Sequence, residues 1–198
     1  MSPADRIAGL CDLETGSIAG CPVTTRRLSE VREAFADQRA CDAILRTGDP
    51  VLYTVSTFDA AQGPGQLHCG LGILHAGRVG EEFYLTRGHL HARRDAAEIY
   101  VGLEGKGLMI LEQEDGTSTT AELVPNGIVY VPGHSAHRTV NTGSGKLAYL
   151  GIYPADAGHD YDAIRAGNFR TVVVAREGSP AVLLRSEYLN RLVHSRTP

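Results

Sequence analysis

Thr86-Arg87-Gly88-His89-Leu90-His91-Ala92-Arg93-Arg94-Asp95-Ala96-Ala97-Glu98-Ile99-Tyr100 sets two histidines one residue apart, with six residues between the second of them and a glutamate. Side chains alternate across a strand, so His89 and His91 on a strand share a face and their imidazoles can converge on one ion. A later stretch, Tyr130-Val131-Pro132-Gly133-His134-Ser135-Ala136-His137-Arg138-Thr139-Val140-Asn141, brings a further imidazole at His137. His89, His91, Glu98 and His137 then form a mononuclear ligand set that leaves one or two coordination positions open for substrate. Imidazole with carboxylate suits Fe, Zn, Ni or Mn, so one divalent transition metal per subunit is expected.

The rest of the chain bounds what such a site could serve. Its 198 residues suit one well-buried core, without room for two full domains. A formal charge of −4 and a pI near 6.0 argue against a nucleic-acid or anionic-membrane surface. No apolar run approaches the roughly 20 residues of a membrane span. Met1 to Gly20 lacks the basic start and apolar stretch of a signal peptide, so the expected location is cytoplasmic. Cys11, Cys21, Cys41 and Cys69 form no Cys-x-x-Cys pair and read as reduced, small buried thiols. There is no dinucleotide fingerprint before a helix, no P-loop and no nucleophile elbow.

The 23 glycines, many lying between short Val/Ile/Tyr-rich runs, favour a turn-rich β architecture. Asp12 to Ser29 reads as extended segments and turns. Leu28, Val31, Phe35, Ile44 and Leu45 then recur near helical spacing, which predicts one or two short helices between residues 29 and 47, with Ser29 as cap, Glu30 in the first turn and Gly48 as terminator. Strands are expected at Val51–Thr57, Gln66–Ala76, Glu82–Arg87, Ile99–Glu104, Gly107–Gln113, Thr117–Leu123, Ile128–Val131, Arg138–Asn141, Leu147–Tyr153 and Thr171–Ala175. Tyr161 to Ala166 reads as a short helix closed by Gly167, and Ala181 to Leu192 as a strand followed by a surface segment. Residues 1–49 are expected as an extension packing on a barrel formed by residues 50–198. His68 and His75 read as surface or strand histidines, Arg93 and Arg94 as a solvated loop, and Asn141 as a turn-closing residue.

Gly88-His89-x-His91, Glu98 and Gly105, followed by Gly127, Pro132, His137 and Asn141, resemble the paired motifs of the cupin superfamily. The six-residue interval before Glu98 is longer than the three or four of the generic motif. With Thr86-Arg87-Gly88-His89, Ala97-Glu98-x-Tyr100-Val101, Gly105-Lys106-Gly107 and Ala136-His137-Arg138-Thr139-Val140-Asn141, it is similar to one branch, the cupin-type glucose-6-phosphate isomerases. The stretch Ile152-Tyr153-Pro154-Ala155-Asp156-Ala157-Gly158-His159-Asp160-Tyr161 carries the same resemblance. Two positions depart from it. His134 stands where a bulky aromatic is expected, and Gly72 where relatives carry threonine on a strand facing the substrate phosphate.

The resemblance implies an all-β-dominated, double-stranded β-helix (jelly-roll) barrel, a homodimer, and interconversion of glucose 6-phosphate and fructose 6-phosphate in glycolysis and gluconeogenesis. Glu98 would serve as catalytic base as well as ligand, or as ligand alone while hydrogen crosses as a hydride. Tyr100, two residues after Glu98, would face the same cavity and move protons on the sugar oxygens, and His159 would assist ring opening. Tyr53, Thr86 and Gly88 would hold the phosphate, with Tyr153 and Tyr161 as further substrate contacts. Arg87 has the charge for phosphate, but alternation from Thr86 and Gly88 would turn it away. Rival readings are an iron-dependent cupin dioxygenase, since oxygen-activating cupins use the same ligand set, and a non-catalytic sugar-phosphate-binding cupin.

Overall fold

The computed structural model describes residues 7–165 and 168–194. In chain order the elements are β1 (Cys11–Asp12), β2 (Ser17–Ile18), β3 (Val23–Arg27), α1 (Leu28–Val31), a 3-10 turn (Arg32–Ala34), α2 (Gln38–Leu45), β4 (Val51–Phe58), β5 (Leu67–Leu74), β6 (Arg78–Val79) and β7 (Glu82–Phe83). There follow β8 (Glu98–Glu104), β9 (Gly107–Gln113), β10 (Ser118–Leu123), β11 (Ile128–Val131), β12 (Ser135–Asn141), β13 (Leu147–Pro154), α3 (Asp162–Arg165), β14 (Thr171–Arg176), β15 (Ser179–Leu184) and α4 (Arg185–His194).

A six-stranded sheet in the order β11-β8-β13-β5-β4-β3 faces a three-stranded sheet, β10-β9-β12. Leu52, Leu74 and Val129 from the first share one buried core with Met109, Ile110 and Val140 from the second. This is the expected mostly-β barrel. A four-stranded sheet, β15-β14-β7-β6, closes one side, and Tyr188 of α4 is buried against Val172 and Val174. β3 pairs with β4 inside the six-stranded sheet, so the N-terminal region supplies a wall strand. β1 and β2 cover the outer face of that wall, where Ile18 packs on Leu71 and Ile73.

Several expectations need adjusting. The predicted strand Glu82–Arg87 stops at Phe83, and beyond it lie isolated pairings at Leu85, His89 and Leu90. Farther on, Gly88, with a φ of 76°, breaks the extended path before His89. Ser29 does not cap α1. Arg27 occupies the N-cap, its N–H donating to Glu30 Oε2 at 2.8 Å, while Ser29 Oγ donates to Asp49 Oδ2 at 2.7 Å. The tail segment past β15 is the helix α4, and Ala166 and Gly167 lie outside the described residues. The cysteines are free, with Cys41 buried and the other three half-buried.

Asn141 ends β12 as a closing bracket. Its Nδ2 donates to Leu74 O at 2.8 Å and Gly145 O at 2.9 Å, and its Oδ1 accepts from Gly143 N at 2.9 Å. The side chain is wholly buried, so truncation would leave buried backbone groups unpaired. Asn141→Ala should therefore lower the unfolding free energy by about 2–4 kcal/mol, read as a drop in urea midpoint at unchanged m-value.

Candidate metal centre and substrate cavity

His89 and His137 sit opposite one another in an antiparallel bridge, with His89 N donating to His137 O at 3.1 Å and His137 N to His89 O at 2.9 Å. Their rings lie 4.2 Å apart between centroids, and that of His91 5.4 Å from His137. Gly88 makes this approach possible, because a Cβ there would meet His137 O at 2.9 Å and Phe169 Cε2 at 2.8 Å. The outward neighbour on β12, buried Arg138, clamps the same segment from behind. Its Nη2 donates to Arg87 O at 2.6 Å while its guanidinium stacks 4.2 Å over Phe169.

Glu98 enters from β8 on the facing sheet. Its Oε2 lies 3.0 Å from His137 Nε2 and 3.3 Å from His91 Nε2, and one ligand atom from each of His89, His91, Glu98 and His137 lies within 4.8 Å of the others. The three Nε2 atoms and Glu98 Oε2 are buried without hydrogen-bond partners. Four orphaned polar atoms aimed at one point would be costly in a protein core and fit a cation between them. The outer nitrogens fix the ring states. His91 Nδ1–H donates to Ala96 O at 2.9 Å and His137 Nδ1–H to Ser135 O at 3.3 Å, which leaves each Nε2 lone pair facing inward.

The electrostatics agree with a site made for positive charge. Burial, helped by the neighbouring imidazoles, pushes His89 well below its usual range, so it stays neutral. Burial alone would raise Glu98, but in the metal-free protein His137 and His91, when protonated at Nε2, outweigh it by charge and hydrogen bonding and hold the carboxyl at about 2. The carboxylate is thus ionised in its buried setting.

The cluster opens on a cavity of about 270 Å³. The floor exists because β5 and β13 carry glycine on their inward faces, at Gly70, Gly72 and Gly151. Tyr53, Thr86, Gly88, Tyr100, Tyr153, His159 and Tyr161 all reach this cavity, as do His89, Glu98 and His137, while His91 stands behind them. His159 lies 4.4 Å from the His89 ring and stacks on Tyr161 at 5.8 Å. It is placed by strand-like pairing of residues 157–160 with 90–93, including Asp160 N donating to Leu90 O at 2.7 Å.

Some residues behave differently from the sequence reading. Arg94 does more than solvate a loop, since its Nη2 bonds Asp160 Oδ2 at 2.6 Å and ties the His159 segment to the metal loop. Arg93 bridges Asp95 and Asp156. Arg87 lines the cavity and lies 4.7 Å over the Tyr161 ring, because the break at Gly88 cancels strand alternation. His134 stays outside the site, adopting a left-handed φ of 61° with its ring 3.4 Å from Glu114. His68 is half-buried, with Nε2 2.9 Å from Ala61 O, and His75 is exposed. Thr24, Arg26, Val55, Thr57 and Tyr149 also line the cavity. Alternation from Tyr153 would have found Tyr149, while Thr24 and Arg26 were hidden because β3 read as an outer extension.

The sequence pattern of glucose-6-phosphate isomerases matches residues 25–187. The chain belongs to the glucose-6-phosphate isomerase family. It is 43% identical over 172 residues to the glucose-6-phosphate isomerase of Thermococcus kodakarensis, covering 87% of this chain and 90% of that one. With the glucose-6-phosphate isomerase of Pyrococcus furiosus it is 42% identical over 172 residues, covering 87% and 91%. Among solved structures, an oxalate decarboxylase of Bacillus subtilis superposes with a TM-score of 0.43 at 21% identity, over 52% of this chain and 26% of that one.

Elemental analysis should find about one divalent transition-metal ion per chain, falling below about a tenth of that in His137→Ala. Chelation should lower the thermal midpoint, since a ligand at 100 times its Kd stabilises by about 2.7 kcal/mol. A metal-free protein with an unchanged midpoint would contradict the assignment of the four orphaned atoms.

Proposed function

We infer that the protein interconverts glucose 6-phosphate and fructose 6-phosphate, using a divalent metal held by His89, His91, Glu98 and His137. The reading is carried by one observation: in a member of this family, the buried three-imidazole, one-carboxylate cluster forms a wall of a cavity lined with hydroxyls. Family membership favours this reading over the dioxygenase and the non-catalytic binding protein. When bound, the ion supplies Lewis acidity toward the sugar carbonyl.

The protein's own groups divide the remaining work. The phosphate lies among Tyr53, Thr86 and Gly88. Thr86 Oγ1 already accepts from Thr139 N at 3.0 Å and Tyr53 Oη from Arg87 N at 3.4 Å, so each hydroxyl keeps its proton for an anion. Arg87 adds positive charge at the rim, beside Tyr161. His159, exposed at the cavity mouth with its pKa lowered by partial desolvation, takes the anomeric hydroxyl's proton and returns it to the ring oxygen as the ring C–O bond breaks, with Tyr153 and Tyr161 against the open chain. Tyr100, raised well above the usual phenol range first by burial and then by Glu98, stays protonated and donates to the sugar oxygens.

Glu98 has two distinguishable oxygens. Oε2 faces the imidazoles, whereas Oε1 points toward Gly151, whose added Cβ would lie 2.6 Å from it. The absence of a side chain at Gly151 lets Oε1 lie against β13 at the cavity wall, and this exposure to the cavity supports Glu98 as the base carrying the proton between C1 and C2. The low pKa of the same carboxyl favours a second reading, with hydrogen crossing directly between the carbons and Glu98 as ligand only.

We also infer a cytoplasmic homodimer. Ile128, Tyr130 and Ile99 are exposed on the outer face of the six-stranded sheet, with Tyr130 directly opposite Ile99 on the neighbouring strand, and they form the apolar patch for a second copy. No helix of the described residues is long and apolar enough to cross a membrane.

A coupled assay should detect fructose 6-phosphate turnover that chelator abolishes and that Fe, Mn, Ni or Zn restores. Turnover indifferent to chelator, or absent after every reloading, would sink the assignment. Glu98→Gln should cut kcat by roughly 10²–10⁴-fold if Glu98 is the base. Reaction in deuterated water separates the routes: deuterium at C2 of the product supports proton transfer, and full retention of the original hydrogen supports direct crossing.

A further inference from the structure

Gly72 and Tyr149 are cross-strand partners on β5 and β13, and both face the cavity. A Cβ built on Gly72 would lie 2.5 Å from Tyr149 Cε2 and 2.7 Å from Tyr149 Oη. The tyrosine ring thus lies across its neighbour strand, filling the volume that any side chain at position 72 would need. Its hydroxyl lies 2.7 Å from the point where that Cβ would stand.

The surroundings of that hydroxyl define what it can bind. Tyr149 packs 5.4 Å from the Tyr100 ring and lies close to Thr139, whose backbone N–H is held by Thr86 Oγ1 at 3.0 Å. The phenol therefore sits beside the Thr86 and Tyr53 end of the cavity. Burial pushes its pKa up, so the phenol stays protonated. A buried phenol normally donates that proton to an acceptor, and Tyr149 faces the cavity, where a substrate oxygen would supply one.

The geometry points to Tyr149 as a further substrate-binding residue, whose hydroxyl, laid over Gly72, donates to the substrate phosphate next to Tyr53 and Thr86. The glycine is its necessary counterpart, because a larger residue at 72 would displace the ring. A hydroxyl is thus delivered to the phosphate end from the neighbouring strand, with no side chain at 72. This rests on the sugar-phosphate reading given above.

Tyr149→Phe keeps the ring and removes only the hydroxyl. Fructose 6-phosphate kinetics and competition by inorganic phosphate, together with calorimetric titration of inorganic phosphate, test the role. KM and the phosphate Ki should both rise about 10-fold, as for loss of a hydrogen bond to an anion, with kcat within about 3-fold and metal content unchanged. Gly72→Ala, which displaces the ring without removing the hydroxyl, should raise the same two constants. Unaltered KM and Ki in Tyr149→Phe, or a fall in kcat alone, would overturn the proposal. If the wild type turns over no fructose 6-phosphate, the isomerase reading fails by itself. The calorimetric comparison still decides about Tyr149: equal phosphate binding by wild type and Tyr149→Phe counts against it, and weaker binding by the variant supports it.

Discussion

The antiparallel bridge between His89 and His137 is the contact on which the rest of the site depends. Two backbone hydrogen bonds fix the metal loop against β12 and set two imidazoles side by side before any side-chain interaction is counted. Nothing about regular strand pairing would have produced this, since the segment leaves its extended path at Gly88. Arg138 then holds that segment from the outer face, so adjacent residues of β12 grip it from both sides. Loss of the bridge would move one ligand relative to another by more than a coordination bond tolerates.

The cavity follows from a second constraint, the distribution of side-chain volume on the inner wall. Gly70, Gly72 and Gly151 remove volume, and Tyr53, Tyr100, Tyr149 and Tyr153 return it as rings carrying hydroxyls. A barrel of this size would otherwise fill its interior with aliphatic groups and hold no ligand. The exchange of glycine for close-packed tyrosine keeps the wall dense while lining it with donors. Hydroxyl donors at fixed positions suit a substrate that is itself a chain of hydroxyls ending in an anion.

Much of this was legible in the sequence, for reasons tied to particular residues. The convergence of His89, His91, Glu98 and His137 could be read because a ligand set for one ion demands specific side chains at specific spacings. Strands such as Gly107–Gln113 and Ile128–Val131 were found because turn residues bracket them. Arg87 was misread because strand alternation was carried through Gly88, where a left-handed backbone cancels it. Thr24 and Arg26 were missed because β3 is joined to the sheet by long-range pairing that no local pattern announces. Gly72 stood out as an absence, and only the packing of Tyr149 against it gave that absence a physical reason.

Glu98 shows how one side chain can serve both constraints. Its β8 position aims Oε2 at the imidazoles across the sheet interface, while the missing side chain at Gly151 makes room for Oε1 against β13 at the cavity wall. The same neighbours that hold Oε2 also depress the pKa of the whole carboxyl, which weakens it as a base even though it lines the cavity. Ligand strength and basicity thus oppose each other within a single group. Tyr100, buried next to Glu98, has its phenol pushed well above the usual range, so a protonated group stands beside the ionised carboxylate in the same cavity.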